Sequence, residues 1–244
     1  MIERIYSENQ LISLPEHGVE AQKIRALFMA YGGGYDFCRF FRQTGSAGET
    51  AYFAAMDGSF VISDNGQADY AEIAQFLNIH GFTDLFCSEQ AGIQLERQIT
   101  ARFVRVNLME YASTEKEYAL HQNALCEYEL SPSDVWKIIG TRFEIQFEPW
   151  YLDMSHRVRH GISRCFSDGK AALVMQHNIN DEALLSQVCV LKEYEGQGYA
   201  SRLLRTVSSA SPGKVQIICE DSLAEFYRKC GFSAVAKNII GYRN

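Results

Sequence analysis

The sequence predicts an α+β fold in which a hairpin, a helix and a strand follow one another in each of two halves. In the first half, an alternating run at 50–63 turns at Asp57-Gly58, and an amphipathic helix (68–79) and a short strand (84–87) follow. An Asp-Gly pair tolerates the positive backbone dihedrals of a tight hairpin turn, so this prediction has a stereochemical reason. The second half repeats the order after a hairpin at 163–177.

Further elements are predicted in the first half by apolar spacing. Residues 20–29 form a predicted helix, because Ile24, Leu27 and Phe28 recur at helical intervals. The glycine-rich stretch 31–35 follows this helix and does not lead from a strand into a helix. We therefore interpret it as a loop rather than a phosphate site.

The second half gives clearer predictions. Ser131 caps a helix that has Pro132 in its first turn, and a second helix over 149–160 carries Trp150, Met154 and Val158 on one stripe. The remaining predicted elements are a strand at 183–191, a helix at 199–209, a strand at 214–219, a helix at 222–229 and a strand at 232–242.

The middle of the chain is harder to interpret. Residues 101–111 favour a strand, and the stretch after it has no clear periodicity. We place a domain boundary within 90–130 and predict two domains, 1–125 and 126–244.

Composition excludes several classes of protein. The chain of 244 residues has a formal net charge of −7 and no basic cluster, which argues against a nucleic-acid partner. Its seven cysteines are scattered and never spaced as CxxC, which favours buried thiols over a disulfide framework or a zinc site. The first ten residues lack the apolar core of a signal peptide, and no apolar run approaches the ~18 residues of a membrane span. We expect a cytoplasmic protein with no membrane partner.

Two glycines stand between the apolar strand and the helix at 199–209. In this glycine loop (residues 195–198), Gly196 and Gly198 flank Gln197, so the amides at the helix N-terminus are open to an anion such as phosphate. A Walker loop requires Gly-Lys-Ser/Thr, which is absent. The dinucleotide fingerprint fits poorly, because this loop comes late and follows an antiparallel hairpin.

A third pattern fits well. The segment EGQGYA at 195–200, followed by FYRKCGF at 226–232, resembles the GNAT superfamily of acyl-CoA-dependent N-acyltransferases. The resemblance covers 131–244 and is strongest over 188–232. It implies a GNAT-type mixed, mostly antiparallel twisted sheet with flanking helices, preceded by a smaller α/β N-terminal domain. That domain is unassigned, and a degenerate GNAT-like domain without a pyrophosphate loop is one interpretation.

The resemblance also implies roles for individual residues. Tyr227 would be the general acid that protonates the departing thiolate of coenzyme A. A bulged strand would hold the pantetheine arm through its main chain, and the glycine loop with the first helical turn would bind the pyrophosphate. The residues assigned to acetyl-CoA in this way are Val188, Cys189, Val190, Gly196, Gln197, Gly198, Tyr199, Ala200 and Ser201.

Two positions depart from the family pattern. Glu195 stands where the family prefers Arg or Gln, and a carboxylate there either weakens pyrophosphate binding or points outward. Glu220 stands where many members have Asn, which puts a side-chain contact to coenzyme A from this position in doubt. A degenerate fold that no longer binds the coenzyme is the alternative.

The acceptor side is less well defined. Asp153 is our candidate for binding a cationic amine or acting through water, although Arg157 four residues later favours a simple ion pair. His156 and His160 are also four apart, but no third ligand follows, so we predict no metal. Cys189 lies within an apolar strand, which favours an inert thiol over a covalent acyl intermediate.

We therefore expect an N-acetyltransferase that moves an acetyl group from acetyl-CoA to a primary amine by direct transfer. A non-catalytic acyl-CoA or ligand sensor is the main alternative, and Glu195 is the residue that would indicate it. Aminoacyl transfer from tRNA by a tandem GNAT-like chain is a weaker one, because the chain is acidic. The acceptor amine and the oligomeric state, including a homodimer, are left open.

Overall fold

The computed structural model describes residues 1–46, 48–112, 114, 118–119 and 125–243. By contacts the chain divides into two compact units, unit 1 (1–107 and 236–244) and unit 2 (108–235). This division differs from the predicted boundary at 125/126, and it returns the last nine residues to unit 1. Part of the predicted boundary region lies outside the described residues, and the two sequence domains 1–125 and 126–244 stay a prediction.

In its described residues, unit 1 combines sheet strands with three α-helices. Its strand order is β1–β2–β3–β4–β5–β11, antiparallel throughout except for the parallel neighbours β4 and β5. The elements are β1 (Ile2–Ile5), α1 (Val19–Tyr31), β2 (Cys38–Gly45), β3 (Gly48–Met56), β4 (Ser59–Asp64), α2 (Tyr70–His80), β5 (Asp84–Ser88), α3 (Glu89–Glu96), the first half of β6 (Arg102–Ala112) and, from residue 236, β11 (Ser233–Tyr242).

The hairpin and the helices predicted at 20–29 and 68–79 are confirmed. Asp57 and Gly58 take φ values of 48° and 89°, as a tight turn between β3 and β4 requires. The strands β1 and β2 and the helix α3 were not predicted. The core of this unit brings Phe53, Ile62 and Leu77 together with residues of α3.

Unit 2 has the strand order β6–β10–β9–β8–β7, in which β10 and β9 run parallel and the pairs β9–β8 and β8–β7 run antiparallel. The order of elements after the hairpin is the predicted one. The elements are α4 (Leu125–Tyr128), α5 (Pro132–Ile139), α6 (Phe147–Arg159), β7 (Arg164–Ser167), β8 (Ala171–Ile179), β9 (Glu182–Val190), α7 (Tyr199–Ser209), β10 (Lys214–Cys219) and α8 (Asp221–Lys229).

Helices cover both faces of the unit 2 sheet. Because side chains alternate along a strand, β8 sends Leu173 and Met175 to the face covered by α7 and α8. Ala172 and Val174 point to the opposite face, which α5 and α6 cover. The mixed, mostly antiparallel α+β architecture that we predicted is confirmed.

Two local predictions in unit 2 are also confirmed. The Ser131 side chain accepts a hydrogen bond from the amide of Asp134, and Pro132 is the first residue of α5. Across the described ranges, no helix combines the length and the apolar character that crossing a bilayer would need.

Candidate functional site

The glycine loop leads into α7 with its backbone exposed. Gly196 and Gly198 have φ values of 72° and 82°, a region that residues with a Cβ rarely adopt. A Cβ built on either glycine would meet no protein atom within 4 Å, so the space in front of the loop is open. The conformation and the open space together explain why both positions are glycine.

The N-terminus of α7 has no internal partner for its first amides. Gly198 is the N-cap residue and offers no side chain, and the first intrahelical bond joins the Arg202 amide to the Gly198 carbonyl at 3.0 Å. In the part of the chain that the structure describes, the amides of Tyr199 and Ala200 donate to no protein acceptor. Unpaired amides and the positive end of a helix dipole attract anions, so this helix end is chemically suited to one.

β9 contains a bulge close to the loop. The β8–β9 register shifts between Ala172 and Val174, opposite Gln187, whose φ is 52°. The parallel register of β9 with β10 covers Glu182–Leu185 opposite Lys214–Ile217, whereas β9 continues to Val190. The far end of β9 therefore departs from the regular ladder at the position that the sequence analysis assigned to the pantetheine arm.

Tyr227 lies in α8 with its ring buried, and it is 7% exposed. Its ring packs edge-on against Phe226 and Phe232, with centroid distances of 5.1 and 6.0 Å. Burial raises the pKa of the phenol above its ordinary value of 10, with smaller contributions from Cys219 and Cys230. Among the described residues no hydrogen-bond partner of the hydroxyl is found, so it stays protonated at neutral pH and is able to donate.

Four of the nine predicted coenzyme residues pack against one cluster in unit 2. Val188 and Val190 pack against the same cluster that contains Tyr227, and so do Tyr199 and Ala200 at the start of α7. Cys189 points to the other face, where burial raises the pKa of its thiol to about 11. An uncharged, 8% exposed thiol is a poor nucleophile, as its place in an apolar strand indicated.

A scan against family models matches residues 161–234 to "Acetyltransferase (GNAT) domain". Residues 161–234, in the C-terminal half of the chain, are therefore similar to a GNAT domain. The matched segment includes the bulge in β9, the glycine loop and Tyr227, which are the features described above. A search of curated proteins found no match.

Solved structures extend the likeness in fold beyond the GNAT domain. A Drosophila protein gives a TM-score of 0.64 at 12% identity, covering 99% of this chain and 98% of its own. A GCN5-related N-acetyltransferase from Kribbella flavida gives 0.56 at 13% identity, with coverages of 93% and 95%. A tandem GNAT protein from the clavulanic acid biosynthesis pathway gives 0.54 at 10% identity, with coverages of 100% and 98%. At these coverages the N-terminal half also resembles GNAT structures in fold.

The acceptor candidates lie on α6, within the second unit. The Asp153 Oδ1 accepts a hydrogen bond from Arg157 Nε at 2.7 Å, which is the ion pair that the spacing indicated. The ring centroids of His156 and His160 lie 4.3 Å apart with the rings tilted by 36°, and no group of three potential metal ligands occurs among the described residues. Trp150 Nε1 donates to Gln187 Oε1 at 3.0 Å, which ties α6 to the bulge of the GNAT domain.

Sequence reasoning missed the cationic residues around the glycine loop. Lys170, in the β7–β8 turn, donates to Tyr199 Oη at 2.8 Å and lies 4.3 Å from the centroid of that ring. Arg202 lies over the same ring at 4.7 Å and pairs with Asp168 at 3.3 Å. Arg142 pairs with Glu195 at the start of the loop. Lys170 falls within the hairpin predicted at 163–177, which indicated a turn rather than a binding residue.

Proposed function

We propose that the protein transfers an acetyl group from acetyl-CoA to a primary amine, with both substrates bound together in a ternary complex. The observation that carries the proposal is the uncapped N-terminus of α7 behind Gly196 and Gly198, in one GNAT domain with a buried, protonated Tyr227. The open space in front of both glycines fits a diphosphate, which a Cβ would displace. Acetyl-CoA would supply the activated thioester.

Different residues of this chain would bind different parts of the coenzyme. The amides of residues 198–201 and the dipole of α7 bind the diphosphate. The main chain of β9 around Val188, Cys189 and Val190 holds the pantetheine arm beyond the bulge. Gln197 is the loop residue between the two glycines, and its Nε2 donates a hydrogen bond to the Glu193 carbonyl at 3.1 Å.

Tyr227 would act as the general acid. As the amine nitrogen bonds to the acetyl carbon, the carbon–sulfur bond breaks and the phenol gives its proton to the departing sulfur. A cationic acceptor first loses one proton to water, which frees the lone pair of its nitrogen, and it loses a second proton to water once the bond to the acetyl carbon has formed. The phenolate is then reprotonated by water. Positioned acid catalysis of this kind typically contributes ~10²–10⁴-fold in rate.

Asp153 would attract the cationic acceptor before transfer. Arg157 fixes its carboxylate on α6, and Trp150 on the same helix is bonded to the bulge. We expect Asp153→Asn to raise the KM for the amine by about 3–10-fold and to leave the Kd of acetyl-CoA unchanged. Steady-state kinetics with the amine as the varied substrate measures this. An unchanged KM would remove Asp153 from the acceptor site.

Two assays together test the proposed function. Calorimetry measures acetyl-CoA binding, and thiol release measures turnover with a panel of polyamines, aminoglycosides, amino acids and peptide N-termini. Binding with release on one or more amines supports the enzyme. Binding without release on any amine favours the sensor, and the absence of binding contradicts both. The cytoplasm is the compartment we propose, because all seven cysteines are free thiols and six of them are buried.

A further inference from the structure

Glu195 introduces a negative charge at the start of the glycine loop. A carboxylate beside an anion site would oppose a diphosphate, unless a cation compensates it. In the structure Arg142 Nη2 donates to Glu195 Oε1, and the two side chains are 34% and 47% exposed. The charge that the sequence places at the loop is therefore compensated by a residue 53 positions earlier in the chain.

Arg142 is held close to the path that a coenzyme would follow. It comes two residues after Gly140, the C-cap of α5, and its amide donates to the Ile139 carbonyl at 3.0 Å. Its side chain meets the glycine loop at Glu195. Its charge also reaches Cys189 in β9, where it opposes the larger effect of burial on the pKa of the thiol.

The ion pair leaves most of the guanidinium available. An arginine has five N–H donors in a planar fork, and Glu195 engages one edge of it. Within the described ranges the other donors of Arg142 have no hydrogen-bond acceptor. A cation that is fixed by the first residue of the glycine loop, with its remaining donors unoccupied, is suited to a phosphate oxygen.

We propose that Arg142, oriented by Glu195, binds the diphosphate of the coenzyme and so replaces the Arg or Gln side chain that the family prefers at position 195. The proposal rests on the proposed function, since it needs acetyl-CoA as the ligand of the loop. It makes Glu195 a positioning residue rather than a mark of lost binding.

Calorimetry with acetyl-CoA provides the first test. Because charge-assisted hydrogen bonds are the stronger ones, we expect Arg142→Gln to raise the Kd by about 10-fold or more. The matched control is Arg164→Gln, which breaks a pair of similar exposure, 34% for Arg164 and 37% for Glu129, elsewhere in unit 2. The control should change the Kd by less than about twofold. Equal Kd values for Arg142→Gln and the wild type would overturn the proposal.

A second pair of variants separates a direct contact from simple neutralisation. If Arg142 only neutralised Glu195, replacing both residues with glutamine would restore wild-type affinity. If Arg142 contacts the diphosphate, Arg142→Gln should cost about 10-fold in Kd in the Glu195→Gln background as well. Restoration of wild-type affinity in the double variant would overturn the direct contact.

The outcomes also separate this inference from the proposed function. Wild-type protein that does not bind acetyl-CoA contradicts the function itself. Wild-type protein that binds, with an Arg142→Gln variant that binds equally well, contradicts only the role of Arg142. Thermal unfolding of each variant identifies a general loss of structure, and Arg142→Lys, which keeps the charge but not the fork, should fall between the wild type and Arg142→Gln.

Discussion

Helices α2 in unit 1 and α7 in unit 2 each follow a hairpin and precede a parallel strand, but their N-termini differ. Asp69 caps α2, because its Oδ1 accepts from the amides of Ala71 and Glu72 at 3.0 and 3.1 Å. The N-cap of α7 is Gly198, which has no side chain to offer. The protein's own carboxylate therefore occupies in unit 1 the position that stays open to an external anion in unit 2.

Two more differences accompany the capping. The β3–β4 pairing in unit 1 keeps one register from Ala51–Asp64 to Met56–Ser59, whereas β9 in unit 2 is bulged at Gln187. The helix after β5 has no tyrosine, whereas the helix after β10 carries Tyr227. The two units therefore share an order of elements but differ in the local chemistry at their strand ends. In our proposal this chemistry, rather than the topology, decides which unit binds a coenzyme.

The largest effect should come from the tyrosine. We expect Tyr227→Phe to lower kcat by about 10²–10⁴-fold with little change in the Kd of acetyl-CoA, because the proton donor is lost and the ring remains. Since its pKa lies above 10, the wild-type phenol stays protonated up to about pH 9, and the defect should be the same at every pH below that. Rate measurements over this range test both statements.

A tyrosine of unit 1 is the control for this prediction. Tyr52 is 3% exposed and its pKa is likewise raised by burial, so Tyr52→Phe removes a comparable hydroxyl outside the GNAT domain. Its kcat should match the wild type. A Tyr227→Phe variant with normal kcat would show that the hydroxyl is not the acid.

The second effect concerns the glycine loop. Gly198→Val should weaken acetyl-CoA binding by about 10-fold or more, because the side chain would fill the open space and force a β-branched residue to positive φ. Gly81→Val in unit 1 is a matched control, since Gly81 has a φ of 72° and equally open surroundings at the end of α2. Both variants should lose ~1–2 kcal/mol of unfolding free energy, but only Gly198→Val should lose affinity. Normal affinity in it would contradict the phosphate site.

The third effect tests the capped helix. Asp69→Ala should lower the free energy of unfolding by about 1 kcal/mol, because two amides of α2 lose their acceptor. Ser131→Ala removes the cap of α5, and its loss of unfolding free energy is the reference value for the loss in Asp69→Ala. Calorimetry should still give one acetyl-CoA per chain, since the β3–β4 pairing keeps one register and the helix after β5 has no tyrosine. A second bound acetyl-CoA in the Asp69→Ala variant would show that the Asp69 cap is the feature that prevents unit 1 from binding the coenzyme.

The smallest effect concerns Glu20, in the first turn of α1. Desolvation raises the pKa of this carboxyl above its ordinary value of 4.5, Asp64 adds to the rise, and Asn238 and Lys23 oppose it. A raised pKa means that its contribution to stability is complete below pH 4.5 and is lost as the pH rises through the folded value. Glu20→Gln should therefore raise the unfolding temperature by about 1–3 °C at pH 7 and leave it unchanged at pH 4. A gain that persists at pH 4 would contradict this explanation.

Local features of the fold were predictable from the sequence. The Asp57-Gly58 turn, the Ser131 cap and the bounds of α7 and β10 follow from short-range rules of backbone geometry and periodicity. The helix α3 was missed because its buried positions include Ala91 and Gly92, whose small side chains give little periodic signal. The pairing of β11 with β5 joins residues about 150 positions apart, which no local pattern encodes.

The same distinction between local patterns and distant contacts applies to the candidate site. The glycine loop and Tyr227 were found because each motif is contiguous in sequence. Arg142 and Lys170 were missed because they approach the loop only through the packing of α5 and of the β7–β8 turn. From the sequence, Glu195 indicated only that the loop is acidic. The structure shows that Arg142 compensates this charge.

The last strand has a consequence for how the protein is made. Residues 238–242 pair with β5, and Asn238 also donates to the Cys87 carbonyl at 3.2 Å in the interior of unit 1. A ribosome finishes β5 long before it reaches these residues. One edge of β5 therefore stays without its pairing strand until almost the whole polypeptide has been synthesised. A chain that ended at residue 235 would leave this edge exposed to aggregation.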